Sequence, residues 1–169
     1  MTSENHILEI LVALNSADVS YIVGGGVAAV LHGVERATMD LDLSVRMSPD
    51  NLSKFLSVMS RLKLVPRIPI APEVLLDPEN IKKMVSEKGA LVFTFLSREN
   101  PFQQVDLFLD SHFDYDLLYK ESVELLVGRL EIRVLSIPQL IKLKKRVSPP
   151  RNKDLFDISA LEDLLKVKK

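Results

Sequence analysis

Between Tyr21 and Val45 the chain runs from a β-prone stretch, Ser20-Tyr21-Ile22-Val23, into three consecutive glycines, Gly24-Gly25-Gly26. A short apolar stretch and an alternating Asp40-Leu41-Asp42-Leu43 follow. No other segment constrains the fold as tightly. Glycines at a strand end favour a sharp turn and let backbone amides approach an anion that a side chain would keep away. A helix starting there adds the partial positive charge of its N-terminus. Val27 to His32 suits such a helix, short and buried, with Gly33 placed to end it. A plain strand-to-helix turn is the structural alternative, and the glycines alone do not separate the two.

Asp40 and Asp42 sharpen the choice. The period of Thr38 to Val45 is that of a strand, so residues two apart share a face at a Cα separation of about 7 Å. Aspartate is disfavoured in strands, and two on one face repel each other. A divalent cation between them removes that cost, and Mg²⁺ commonly takes one or two carboxylates together with substrate phosphates. Alternatively the pair marks a solvent-facing edge with Leu41 and Leu43 turned inward. Asp106, in Gln104-Val105-Asp106-Leu107-Phe108, is a third carboxylate between apolar residues in a predicted strand. If that strand neighbours the first, three carboxylates converge, enough to hold two metals and to help remove a hydroxyl proton. Asp110 is the competing position four residues on, at the strand end.

The rest of the chain predicts mixed α and β structure, with helices flanking one sheet and a helical C-terminus, rather than an all-parallel doubly wound fold. Helical spacing of Ile7, Leu8, Ile10, Leu11 and Leu14 predicts a helix over about 4–16. Ser48-Pro49 and Asp77-Pro78 open helices to about Lys63 and Lys88, with an irregular connection through Pro66, Pro69 and Pro72. Ala90–Leu96 and Gln103–Leu109 read as a hairpin around Asn100-Pro101, and Leu130–Leu135 as a further strand. Ser136-Ile-Pro-Gln139 is a capping-box pattern that starts a helix to about Arg146. Pro149-Pro150 breaks it, and a last helix runs from about Lys153 to the end. Residues 1–136 are the expected core and residues 137–169 a helical segment packed on it.

At 169 residues and 47% apolar, the chain can bury a real core. It lacks cysteine, which excludes disulfides and thiol chemistry, and its three scattered histidines (His6, His32, His112) do not have zinc-ligand spacing. The start Met1-Thr2-Ser3-Glu4 lacks the features of a signal peptide and no stretch suits a membrane span, so a cytoplasmic protein without membrane partners is expected. The net charge of −1 argues against a uniformly basic nucleic-acid coat, yet it is a cancellation: residues 137–169 hold 9 Lys+Arg and 4 Asp+Glu, and residues 1–136 hold 13 and 19.

Gly25-Gly26, thirteen residues, Asp40-Leu-Asp42-Leu and a later strand aspartate together resemble the nucleotidyltransferase superfamily that includes DNA polymerase β. Arg36-x-Thr38-x-Asp40 is similar to the small prokaryotic branch containing the AbiEii-type toxins. That branch often adds a Leu-Ile-x-x-Lys and an Arg-x-Lys-Asp-x-x-Asp; here these are Leu140 to Lys144 and Arg151 to Asp157. The resemblance, over Tyr21 to about Leu161, implies transfer of a nucleoside monophosphate from an NTP to an acceptor hydroxyl, with pyrophosphate leaving. It implies Mg²⁺ (or Mn²⁺) on Asp40, Asp42 and Asp106, with Asp106 on the acceptor side and Gly25 and Gly26 on the triphosphate. Gly24 departs from the pattern, where a branched apolar residue is usual, and Pro149-Pro150 lengthens or stiffens the link to Arg151.

Around this core, Arg36 and Thr38 are candidates beside the nucleotide, Arg36 by pairing with phosphates or with Asp40, and Thr38 through its hydroxyl. Lys144, Arg151 and Lys153 are candidates for the phosphates or a nucleic-acid acceptor; a solvated helix face over Lys142–Arg146 is the alternative. The acceptor classes are an RNA end, a protein hydroxyl or a small molecule. Ten aromatics and no tryptophan offer few stacking platforms for single-stranded RNA. A non-catalytic binding role, or partnership in a toxin–antitoxin pair, is the alternative from a different class. Gly24-x-Gly26-x-x-Ala29 also fits a dinucleotide fingerprint, but the short helix and the lack of repeated strand–helix alternation weigh against it.

Overall fold

The computed structural model describes residues 3–167. In chain order its elements are α1 (Ser3–Ser16), β1 (Tyr21–Gly24), α2 (Gly25–Leu31), β2 (Asp40–Val45), α3 (Pro49–Arg61), β3 (Leu64–Pro66), α4 (Pro78–Lys88), β4 (Val92–Ser97) and β5 (Gln104–Phe108). After these come α5 (Tyr115–Tyr119), β6 (Val123–Val127), β7 (Leu130–Val134), α6 (Ile137–Lys145) and α7 (Asn152–Val167). Met1 and Thr2, part of the segment read for a signal sequence, and the last two lysines lie outside the described residues.

Seven strands form one mixed sheet in the order β3-β4-β5-β2-β1-β7-β6. β1 pairs antiparallel with β2 and parallel with β7, while β2 and β5 run parallel. The outer pairs β3/β4, β4/β5 and β6/β7 are antiparallel. The dinucleotide alternative is overturned, because β1 and β2 flank α2 as antiparallel neighbours and not as a right-handed parallel crossover.

Strand alternation separates the two faces of the sheet. Leu41 and Leu43 of β2, Val105 and Leu107 of β5, and Phe93 and Phe95 of β4 are all buried. The Phe55 ring of α3 meets Phe95 edge-on at 5.7 Å, which places α3 over this apolar face. The interleaved residues Asp40, Asp42, Gln104, Asp106 and Thr94 face the other way. Among the described residues no helix is long and apolar enough to cross a membrane.

Several expectations change. β2 begins at Asp40, where its ladder to β5 begins, so Thr38 lies in the preceding loop. The irregular connection contains a three-residue strand, β3, and a 3₁₀ turn at Pro72–Leu76. β6 was not expected: Val123–Val127 pairs with β7 across a tight turn at Gly128, whose φ is +62°. At α6 both halves of the capping box form, Ser136 accepting from the Gln139 amide and Gln139 from the Ser136 amide.

Candidate active site

The glycines are fixed by space as much as by turn geometry. Gly25 has φ +60°, and a Cβ there would lie 1.8 Å from Oδ2 of Asp42. At Gly26 a Cβ would lie 2.1 Å from the Arg36 guanidinium and 2.9 Å from Thr38 Oγ1. The start of α2 is therefore a cradle against which Asp42, Arg36 and Thr38 close without room for a methyl group. Gly24 needs no special backbone, with φ −119°. A Cβ there would press at 3.2 Å on the Phe108 ring and Leu135, so close packing accounts for glycine at this position.

The carboxylates meet through strand register. Asp42 is the direct partner of Asp106 across the parallel β2/β5 pair, and Asp40 is opposite Gln104. On β4, Thr94 is opposite Asp106 and donates to its Oδ1 at 2.6 Å. Gln104 Nε2 donates to both Asp106 oxygens at 3.1 Å, and Gln104 Oε1 accepts from the Arg67 guanidinium. Asp106 is thus held in place by two neutral donors.

Burial pushes the Asp42 carboxyl up to about 7, and the neighbouring charges of Asp106 and then Asp40 add to this, against the opposing pull of Lys144 and Lys153. Asp40 is also raised, first by burial and then by Asp106, with Lys153 and Arg67 opposing. Among the described residues, however, no group of three His, Asp or Glu side chains is placed so that it could hold a metal ion.

A cavity of about 360 Å³ opens beside these residues. Of the predicted site residues, Gly25, Gly26, Arg36, Thr38, Asp40, Asp42, Lys144, Arg151 and Lys153 line it, together with Ala37, Met39 and Asp154. Asp106 does not line it but adjoins Asp42 in register. Asp110 turns elsewhere, capping the 3₁₀ turn at Ser111–Phe113 and bonding His112 at 2.8 Å.

Two acids of α7 that were not among the expected site residues organise the cations. Asp157 is fully buried; Lys144 Nζ donates to it at 2.8 Å, and Arg36 Nε lies 2.9 Å from its other oxygen, close enough for an ion pair but not aligned for a hydrogen bond. Arg36 therefore pairs with Asp157 and not with Asp40. Arg151 grips Asp154 through two nitrogens, at 2.7 and 3.1 Å. Burial alone raises Asp154, but the hydrogen bonds and charge of Arg151 outweigh it and hold the carboxyl below its ordinary range. The basic run of α6 is split: Lys142, Lys145 and Arg146 are exposed, whereas Lys144 turns inward. His32 Nε2 bonds the Leu135 carbonyl at 2.7 Å, in keeping with a local packing role.

No protein-family profile and no curated protein sequence matches the chain. Solved structures do. The lincosamide antibiotic adenylyltransferase LnuA, solved with lincomycin bound, superposes with a TM-score of 0.65 at 15% identity, over 95% of this chain and 97% of its own. The antibiotic-resistance factor ANT(2'')-Ia gives 0.63 at 14% identity, over 97% and 84%; a crystal structure of it holds adenylyl-2''-tobramycin. An antigenic nucleotidyltransferase-like protein from Paracoccidioides brasiliensis gives 0.53 at 17% identity, over 94% and 75%. At these identities the shared property is the fold: the chain has the mixed α/β architecture of nucleotidyltransferases.

Proposed function

We propose that the chain transfers a nucleoside monophosphate from an NTP to an acceptor hydroxyl. The observation that carries this is the in-register pair Asp42–Asp106, with Asp40 two residues away, set beside a glycine cradle and a cation-lined cavity. The fold shared with two antibiotic adenylyltransferases supports it.

Asp40, Asp42 and Asp106 would hold Mg²⁺ or Mn²⁺: the donors are all carboxylates, the ligands a hard divalent ion takes, and Asp42 is raised first by burial and then by the charges of Asp106 and Asp40. When bound, such an ion screens the triphosphate and lowers the acidity threshold of the acceptor hydroxyl. The chain's own groups do the rest. The amides at Gly25 and Gly26 approach the phosphates. Lys153, exposed and close enough to influence both Asp40 and Asp42, is the cation best placed to meet them. Lys144, Arg36 and Arg151 are held by Asp157 and Asp154, so they contribute fixed positive charge at the cavity wall. The acceptor oxygen bonds to the α-phosphorus, the bond from that phosphorus to the pyrophosphate oxygen breaks, and the hydroxyl proton passes toward Asp106. Residues 1–136 supply the carboxylates and glycines in this scheme, and residues 137–169 close the nucleotide side.

The finer placement in the branch related to AbiEii-type toxins rests on Arg36-x-Thr38-x-Asp40 and the Arg151–Asp157 motif, and it brings with it a toxin or antitoxin partner. Incubation with NTPs labelled at the α-phosphate, Mg²⁺ and fractionated cell extract tests the reaction. Label is expected on one acceptor fraction, and its loss in Asp42→Asn. Tight metal–NTP binding with label on no fraction would instead favour the non-catalytic binding role.

A further inference from the structure

A second depression, of about 180 Å³, adjoins the nucleotide cavity at the N-terminal ends of β2 and β5. Ile7 and Ile10 of α1, Met39 and Phe102 give it apolar walls, and Gln104 lines the side nearest the carboxylates. Met39 lines both cavities. Met39 is 45% and Phe102 67% exposed among the described residues, large apolar groups at a concave site.

The two cavities differ sharply in charge. Four cations and three acids line the nucleotide cavity. Among the described residues lining the second there is no carboxylate, ammonium or guanidinium; its polar groups are side-chain amides and the His6 imidazole. A polycationic acceptor is normally met by carboxylates, and a nucleic-acid strand by Lys and Arg. Among the described residues lining the depression, neither is offered. Gln104 also connects the depression to the chemistry, since its amide donates to both oxygens of Asp106, which, unlike Asp40 and Asp42, lies outside the lining of the nucleotide cavity.

We propose that this depression is the acceptor site, and that it takes an uncharged, hydroxyl-bearing small molecule with an apolar face. The apolar face packs on Ile7, Ile10 and Phe102, and the hydroxyl reaches over Met39 toward Asp106. There its oxygen bonds to the α-phosphorus as pyrophosphate leaves and its proton passes to Asp106. The proposal rests on the nucleotidyl-transfer reading of the adjoining cavity.

Three probes test it: phenyl β-D-glucoside and chloramphenicol, both uncharged with an aromatic face, and tobramycin, a polycation. The first readout is the amide NMR spectrum of the wild-type chain. At least one neutral probe should shift resonances of α1 and of residues 100–104, and tobramycin should not. The second is label transfer from a mixture of α-labelled NTPs with Mg²⁺. Phe102→Ala, an exposed position whose loss the fold tolerates, should raise the Kd of the neutral probe about tenfold and leave metal–NTP affinity within about twofold. Resonances of 100–104 that neither neutral probe moves, an unchanged Kd in Phe102→Ala, or label accepted by tobramycin or RNA alone would each overturn the proposal. Wild-type chain that fails to bind metal–NTP, while a neutral probe still moves 100–104, would sink the transfer reaction and leave the pocket standing.

Discussion

Gly25 shows how much one residue settles at this site. A left-handed backbone costs a side-chain-bearing residue roughly 1–2 kcal/mol, and a Cβ 1.8 Å from Asp42 Oδ2 would drive the carboxylate aside. Gly25→Ala is therefore expected to cost at least that much in urea denaturation and, separately, to weaken Mg²⁺ binding by displacing Asp42. Asp157 is a second such position. It is fully buried between Lys144 and Arg36. Asp157→Ala leaves two partly buried cations unpaired, an expected loss of about 3–5 kcal/mol, whereas Asp157→Leu combined with Lys144→Met should recover much of it. Equal stability of Asp157→Ala and wild type would remove this pairing from the account.

Asp42 also gives the site a pH signature. Its folded value is about 7, and an unfolded aspartate lies near ~3.9. Between those values the folded, metal-free chain binds the extra proton, so its stability falls as pH rises through the window and levels off above about 7. Divalent-ion affinity should follow the opposite course, rising with pH as the ion displaces that proton. Urea midpoints in chelator at pH 5 and pH 8 check the first statement, and Asp42→Asn should flatten the difference.

At the scale of elements, the local signals in the sequence were strong where chemistry is local and weak where it is not. The capping box at Ser136 and Gln139, and the proline-led starts of α3, α4 and α6, are written in neighbouring residues and formed where expected. Ser136→Ala should cost about 1 kcal/mol, measurable as a lowered thermal midpoint. β3 and β6 carried no such signal. Leu64–Pro66 is three residues long, and Val123–Val127 has a near-continuous apolar pattern that only its partner β7 resolves into a strand. The apolar face of the sheet depends on α3 in the same non-local way, through Phe55 against Phe95. Phe55→Ala should therefore destabilise by about 3–5 kcal/mol.

Across the whole molecule, the candidate site is a meeting of segments far apart in sequence. The glycines, Asp40 and Asp42 were legible because one short stretch carries them and because acids on a strand face need a reason. Asp106 was legible only as a condition, since its value depended on which strand β5 joins, and the parallel pairing with β2 supplies that. Thr94 and Gln104 were not read as candidates because their contacts to Asp106 come from strand register; Asp154 and Asp157 stood inside the Arg151–Asp157 motif but were not singled out, because their pairing with Arg151, Lys144 and Arg36 comes from the docking of α7. The charge arithmetic takes on a spatial meaning here as well. The acidic first 136 residues bring the carboxylates, and the basic remainder places Lys144, Arg151 and Lys153 around the same cavity.

The most direct measurement is a calorimetric titration of each NTP with Mg²⁺ into wild type and into Asp40→Asn/Asp42→Asn. The double variant removes the cost of burying charged carboxylates and then their mutual repulsion, so at pH 8 it should be at least as stable as wild type, which separates lost binding from lost folding. Metal-dependent NTP binding is expected in wild type, with a weakening of at least tenfold in the double variant. Equal affinity in the two proteins would contradict the assignment of these carboxylates and, with it, the proposed transfer reaction.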